Sequence, residues 1–212
     1  SCLDLIIYLY NHFLKINKEN ILLKERDTFI LSKGHAAPSL YAVLLDLKII
    51  NQNLFLSDKT YWHPDKSIKG VDFQTGALGH GISVGIGIAK YYKINRINKW
   101  VTVMIGDGEL NEGTIWESFL ISKNWKLGNL IIIIDRNKFQ ANDKTQKVLS
   151  LGNLKRKIES FDLKLIELNG HNYNDMHKKF SKLKKNNIPK VIIANTKRNF
   201  GIFSIQNKKT FW

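Results

Sequence analysis

Residues 100–113 read WVTVMIGDGELNEG, and residues 130–137 read LIIIIDRN. The first stretch opens with an apolar run over 100–105 and breaks at Gly106-Asp107-Gly108. The second is almost unbroken isoleucine over 130–134 and breaks at Asp135-Arg136-Asn137. Short apolar runs that end in turn residues are the pattern of strands buried on both faces. Residues 112–125 between them carry a helical pattern. A right-handed strand, helix, strand crossover places the two strands side by side and parallel. The final third repeats the alternation, with a helix over 154–160, a strand over 163–167, a helix over 175–185 and a strand over 190–194. The fold expected is therefore α/β, a doubly wound and mostly parallel sheet, with ligands at the carboxyl ends of its strands.

Toward the N-terminus the pattern is less regular. Residues 2–50 read as helices around a turn, with Gly34-His35 introducing a run over 36–47. Residues 51–73 hold Trp62, His63 and Pro64 among several charges, which suits a loop draped over a site. Gly76-Ala77-Leu78-Gly79-His80-Gly81 then forms a turn that feeds a closely packed helix over 82–92.

Composition narrows the possible partners. The chain has 33 Lys and Arg against 18 Asp and Glu, a formal net charge of +15. The cations are mostly lysines spread along helices, as at Lys178, Lys179, Lys182, Lys184 and Lys185. That reads as solvated helix faces, so no nucleic-acid partner is expected, although the field would attract phosphorylated substrates. A single cysteine, Cys2, excludes an internal disulfide framework and suits a reducing, cytoplasmic setting. No apolar run approaches the roughly 18 residues of a membrane helix, and the start of the chain lacks the marks of a secretory leader. A chain of 212 residues suits one domain over 1–212.

The chemistry is concentrated at the two strand ends. Asp107 and Asn137 would converge on one rim as two oxygen donors, which suits a hard cation bridging a diphosphate. Gly106 and Gly108 let backbone approach phosphate oxygens, and a helix starting near Glu112 adds its positive dipole end. A lone Gly-Asp-Gly is more often a tight turn. The strand, helix, strand frame with Asn137 at its far end is what favours the metal reading.

Gly-Asp-Gly followed thirty positions later by Asn resembles the thiamine diphosphate signature. Residues 106–116 together with Lys126-Leu127-Gly128-Asn129-Leu130 closely resemble the transketolase family. The resemblance implies thiamine diphosphate and magnesium, with calcium or manganese able to replace it. It assigns Asp107, Asn137 and the carbonyl of Phe139 to the metal, and Gly106 and Gly108 to the cofactor. Glu112 matches a glutamate near the cofactor at a subunit interface. Leu31-Ser32-Lys33-Gly34-His35 is similar to the segment whose histidine meets the diphosphate. His63-Pro64 is similar to the Gly-His-Pro motif whose histidine meets the sugar, so His35 and His63 are the catalytic candidates. Thr75-Gly76-Ala77-Leu78-Gly79 matches the loop that touches the aminopyrimidine through Gly76 and Leu78.

The sequence also departs from the family pattern. A Gly-His motif that precedes the first helix in the family has no counterpart here. The late Thr-x-Lys-Gly-x-Gly reads Thr196-Lys197-Arg198-Asn199-Phe200-Gly201, and the histidine beyond it is missing. Either the ends are trimmed relative to the family, or the active site no longer makes the interactions that those residues supply.

The family's pyrimidine-binding domain, with its catalytic glutamate and phosphate-holding arginines, has no counterpart in these residues. The resemblance therefore implies the N-terminal subunit of a split transketolase, joined to a C-terminal subunit in a dimer of heterodimers. It would transfer a two-carbon ketol unit between sugar phosphates. The partner is expected to cover apolar surface around Leu78, Ile115 and Trp116. The alternatives are deoxyxylulose phosphate synthase, the alpha subunit of a 2-oxoacid dehydrogenase, or a degenerate non-catalytic subunit.

Overall fold

The computed structural model describes residues 1–22, 26–57, 62–202 and 204–205. Helix α1 (Leu3–Tyr8) runs into a wider π-helical turn, Leu9–Phe13. Strand β1 (Thr28–Leu31) follows, then a 3₁₀ turn at Gly34–Ala36, α2 (Ala37–Asp46) and the single turn α3 (Gln52–Phe55). Helix α4 (His80–Ile94) leads to β2 (Val101–Gly106), a 3₁₀ turn at Gly108–Asn111, α5 (Gly113–Asn124) and β3 (Leu130–Arg136). A small hairpin of β4 (Phe139–Gln140) and β5 (Asp143–Lys144) precedes the turn α6 (Thr145–Val148). The chain finishes with α7 (Leu154–Glu159), β6 (Lys164–Asn169), α8 (Tyr173–Phe180) and β7 (Lys190–Asn195).

Five strands form one sheet in the order β1-β2-β3-β7-β6, and every pairing is parallel. The two-sided burial expected of β3 is literal. Ile131 and Ile133 enter a core built with α1, α2 and α8, while Ile132 and Ile134 enter the opposite core with α4, α5 and α7. Alternate side chains of a strand face opposite ways, so an unbroken isoleucine run supplies both layers at once. The strands run β1, β2, β3 in one direction across the sheet and return from the edge as β6, β7. That reversal makes the sheet doubly wound and puts its switch point between β3 and β7.

The first segment departs from the sequence expectation. Within 2–50, β1 is an edge strand whose four residues TFIL are all buried, not part of a helical array. A buried strand this short carries no alternation, so periodicity cannot separate it from a helix. Helix α8 starts two residues before the expected 175–185, where the Asn172 side chain accepts from the Asp175 N–H, and it ends early, at Phe180. The hairpin and α6 carry no apolar rhythm and were not anticipated.

Candidate functional site

Pairing of β2 with β3 aligns Gly106 with Asp135, so Asp107 and the loop through Asn137 leave the sheet side by side. Asp107 is 3% exposed. Its Oδ1 accepts from the Gly108 N–H at 2.9 Å and its Oδ2 from the Lys138 N–H at 2.7 Å. Asn137 turns its Oδ1 onto the Phe139 N–H at 2.9 Å. Three oxygens of two side chains are thus held at one rim by fixed backbone donors. Burial pushes the Asp107 carboxyl up to about 6, against those two amides and the nearby Lys33 charge. Burial that penalises the anion is what a bound cation would relieve.

Lys33, Asp107, Asn137 and Phe139 line a cavity of about 770 Å³, together with Leu78, Gly106 and Gly108. His35 reaches the same cavity from the 3₁₀ turn after β1. The oxygen set suits a hard divalent cation. Among the described residues no group of three or more His, Cys, Asp or Glu could hold a metal.

Other expected residues sit one layer away. The His63 ring lies 5.0 Å from that of His35, edge to face. A Cβ on Gly34 would come within 2.8 Å of His63 Cδ2, so a glycine here leaves room for the His63 ring. Gly76 backs the same ring, where a Cβ would meet it at 3.5 Å. Burial, then the neighbouring His63 and Lys33, lower the His35 imidazole below its ordinary value. Glu112 is exposed as the residue before α5, beside Gly79 and not on the cavity wall. Ile115, expected on a partner-covered surface, is fully buried in the core. Helical spacing puts it on the inner face with Phe119, while Trp116 stays half-buried with its indole N–H on the Leu110 carbonyl at 2.8 Å.

The sequence did not reveal the buried polar frame behind the site. Glu109, 2% exposed, accepts from the Ser32 hydroxyl, from the Gly79 N–H at 2.8 Å and from the Gly106 N–H at 3.1 Å. One carboxylate thereby ties the ends of β1 and β2 to the start of α4. Burial pushes its carboxyl up, and those donors offset part of the rise. Behind Asn137, the fully buried Asp135 takes the Lys33 ammonium and the Thr196 hydroxyl. Burial alone would raise the Asp135 carboxyl, but the Lys33 charge overrides it and holds it below the usual range. The signal available was adjacency, since Lys33, Glu109 and Asp135 each lie within two positions of an expected site residue.

The family of the transketolase thiamine diphosphate-binding domain matches residues 1–211, and the chain belongs to it. The more particular likeness is to proteins that are separate subunits. One from Actinobacillus succinogenes, named as a subunit of apulose-4-phosphate transketolase, is 34% identical over 98% of this chain and 78% of its own length. The Phocaeicola vulgatus protein of the same name is 32% identical over 95% of this chain and 74% of its own length. The transketolase structure from Campylobacter jejuni superposes with a TM-score of 0.82 at 30% identity, covering 94% of this chain. The chain spans 33% of that transketolase and 34% of the human one, to which it is 30% identical.

Proposed function

We propose that this chain is the diphosphate-binding subunit of a two-chain transketolase that moves a two-carbon ketol unit from a ketose phosphate to an aldose phosphate. Residues 1–212 form its single domain, and a second subunit carries the pyrimidine-binding domain and the catalytic glutamate. The observation that carries this is Asp107 and Asn137 meeting at the β2/β3 rim, over a cavity that also takes His35 and Leu78. The likeness to proteins named as transketolase subunits supports the two-chain reading.

Thiamine diphosphate, when bound, supplies a thiazolium that accepts the electron pair of the breaking carbon–carbon bond. This chain's residues anchor and orient. Asp107, Asn137 and the Phe139 carbonyl hold magnesium, and Gly106, Gly108 and His35 meet the diphosphate. His35 donates a ring N–H to it. Leu78 and Gly76 receive the aminopyrimidine, and Glu112 faces the partner near the cofactor. His63 is the residue that orients sugar hydroxyls.

The test is a ketol-transfer assay with xylulose 5-phosphate and ribose 5-phosphate, run with and without the partner. Activity should require both chains. Full activity from this chain alone overturns the two-chain reading. His63→Ala in the assembled enzyme should lower turnover while sparing cofactor affinity. A loss of cofactor affinity with normal turnover per bound cofactor would remove His63 from the substrate.

A further inference from the structure

Tyr41 stands on α2, fully buried in the core with Leu40, Val43 and Leu44. A tyrosine buried among apolar side chains needs a partner for its hydroxyl. This one has two. The hydroxyl donates to the His63 carbonyl at 3.1 Å and accepts from the Asp65 N–H at 2.8 Å. Burial pushes the phenol up, so at neutral pH it keeps the proton it donates. One hydroxyl therefore grips the chain on both sides of Pro64, which has no N–H of its own to give.

The turn it grips is also held from within. Asp65 Oδ1 accepts from the Ser67 N–H at 2.8 Å, and the Asp65 carbonyl accepts from the Ile68 N–H at 3.0 Å. Ile68 is 3% exposed and seats the end of the turn in the same core as Tyr41. The His63 ring meets the His35 ring, with Gly34 and Gly76 leaving it room. His35 itself stands on the 3₁₀ turn that runs directly into α2. Both histidines are thus referred to one helix, His35 through the chain and His63 through the Tyr41 hydroxyl.

We infer that Tyr41 is a positioning residue for ketol transfer: its hydroxyl sets where the His63 ring stands against His35. The inference rests on the reading of His63 as the residue that orients sugar hydroxyls. Without the hydroxyl, the His63 carbonyl and the Asp65 N–H lose a shared partner and have to turn to water. That draws the turn away from α2 and carries the ring with it. A displacement of roughly 1 Å in an aligned group costs about a hundredfold in rate.

Tyr41→Phe keeps the ring and removes the hydroxyl. In the assembled enzyme it should lower kcat, read per bound cofactor, roughly ten- to hundredfold and leave thiamine diphosphate affinity unchanged. In a His63→Ala background the same change should lower kcat by less than about twofold, because the residue it acts through is gone. Equal losses in the two backgrounds overturn the inference, since a role in stability alone would not depend on His63.

A second readout needs no substrate. The chain has six histidines, and carbon-13-labelled histidine gives each a ring resonance, with His63→Ala assigning its own. Tyr41→Phe should shift the His63 and His35 resonances and leave those of His12, His171 and His177 in place. An unmoved His63 resonance overturns the inference as well. If His63→Ala leaves kcat intact while Tyr41→Phe still moves the His63 resonance, the substrate role of His63 fails and the placing of its ring by Tyr41 stands.

Discussion

Both rims of the sheet bury charge, and they use it differently. At the amino rim, Asp27 accepts from the Lys15 N–H at 2.9 Å and the Trp100 N–H at 2.7 Å. Lys190 donates to the Gly128 carbonyl at 2.6 Å and Asn186 Oδ1 at 2.9 Å, beneath the Trp100 ring. Each charge there is consumed by backbone or by an aromatic face, and the chain packs against itself. At the carboxyl rim, Glu109 and Asp135 are partnered in the same way, and Asp107 accepts from two backbone N–H groups. What differs is that Asp107, Asn137 and Glu109 also border a cavity. Charge buried with its partners is architecture, while charge buried beside open volume is a site.

The sharpest way to break this contrast is at the amino rim. A Cβ on Gly128 would fall 1.2 Å from the Asn186 carbonyl oxygen, so the backbone has to move. Gly128→Ala should cost about 3 kcal/mol, a fall in melting temperature of roughly 10 °C. Cofactor affinity of the folded fraction should stay unchanged in calorimetry. A variant of normal stability and weakened cofactor binding would show that the rims are not separate in function.

At the carboxyl rim the expectation is inverted. Asp107→Ala in the assembled enzyme should lower magnesium-dependent thiamine diphosphate affinity by at least the roughly ten- to hundredfold that loss of outer-shell partners costs. Undiminished affinity would remove Asp107 from the metal. Glu109→Gln tests the frame behind it. An amide in place of the carboxylate must turn an NH₂ toward one of its three donors, which should cost about 2 kcal/mol in chemical denaturation. A fully stable Glu109→Gln protein would mean the carboxylate is not the tie between β1, β2 and α4.

The smallest effect is one of pH. Burial pushes the Lys190 ammonium down to about 8, from an ordinary value of 10.5. Between those two values the unfolded chain holds more protons than the folded one, so this group's contribution to stability rises with pH. From pH 8 to pH 9 the wild type should gain about 1 kcal/mol relative to Lys190→Met. Parallel stability curves for the two proteins would show that Lys190 titrates normally and that the amino rim is less closed than its contacts indicate.

Individual residues show what could be read in advance. The isoleucines of β3 announced a two-sided strand because burial on both faces needs nothing from distant sequence. Asp107 and Asn137 were legible because each ends a recognisable strand and one crossover joins them. Strand β1 was not, since four apolar residues fit either a helix or a strand until a neighbour pairs with them. Ile115 was misplaced because a motif assigns a segment to an interface but does not say which face of its helix turns inward.

The sequence by itself determined the alternation of elements, the two-sided core and the placing of Asp107 and Asn137 at neighbouring strand ends, all of which depend on local pattern and a short crossover. Only the tertiary structure decided that Glu109 meets Ser32 across 77 positions and that Lys33 meets Asp135 across 102. Those pairs depend on which strands become neighbours, and no local propensity encodes a contact that exists only once the sheet has closed.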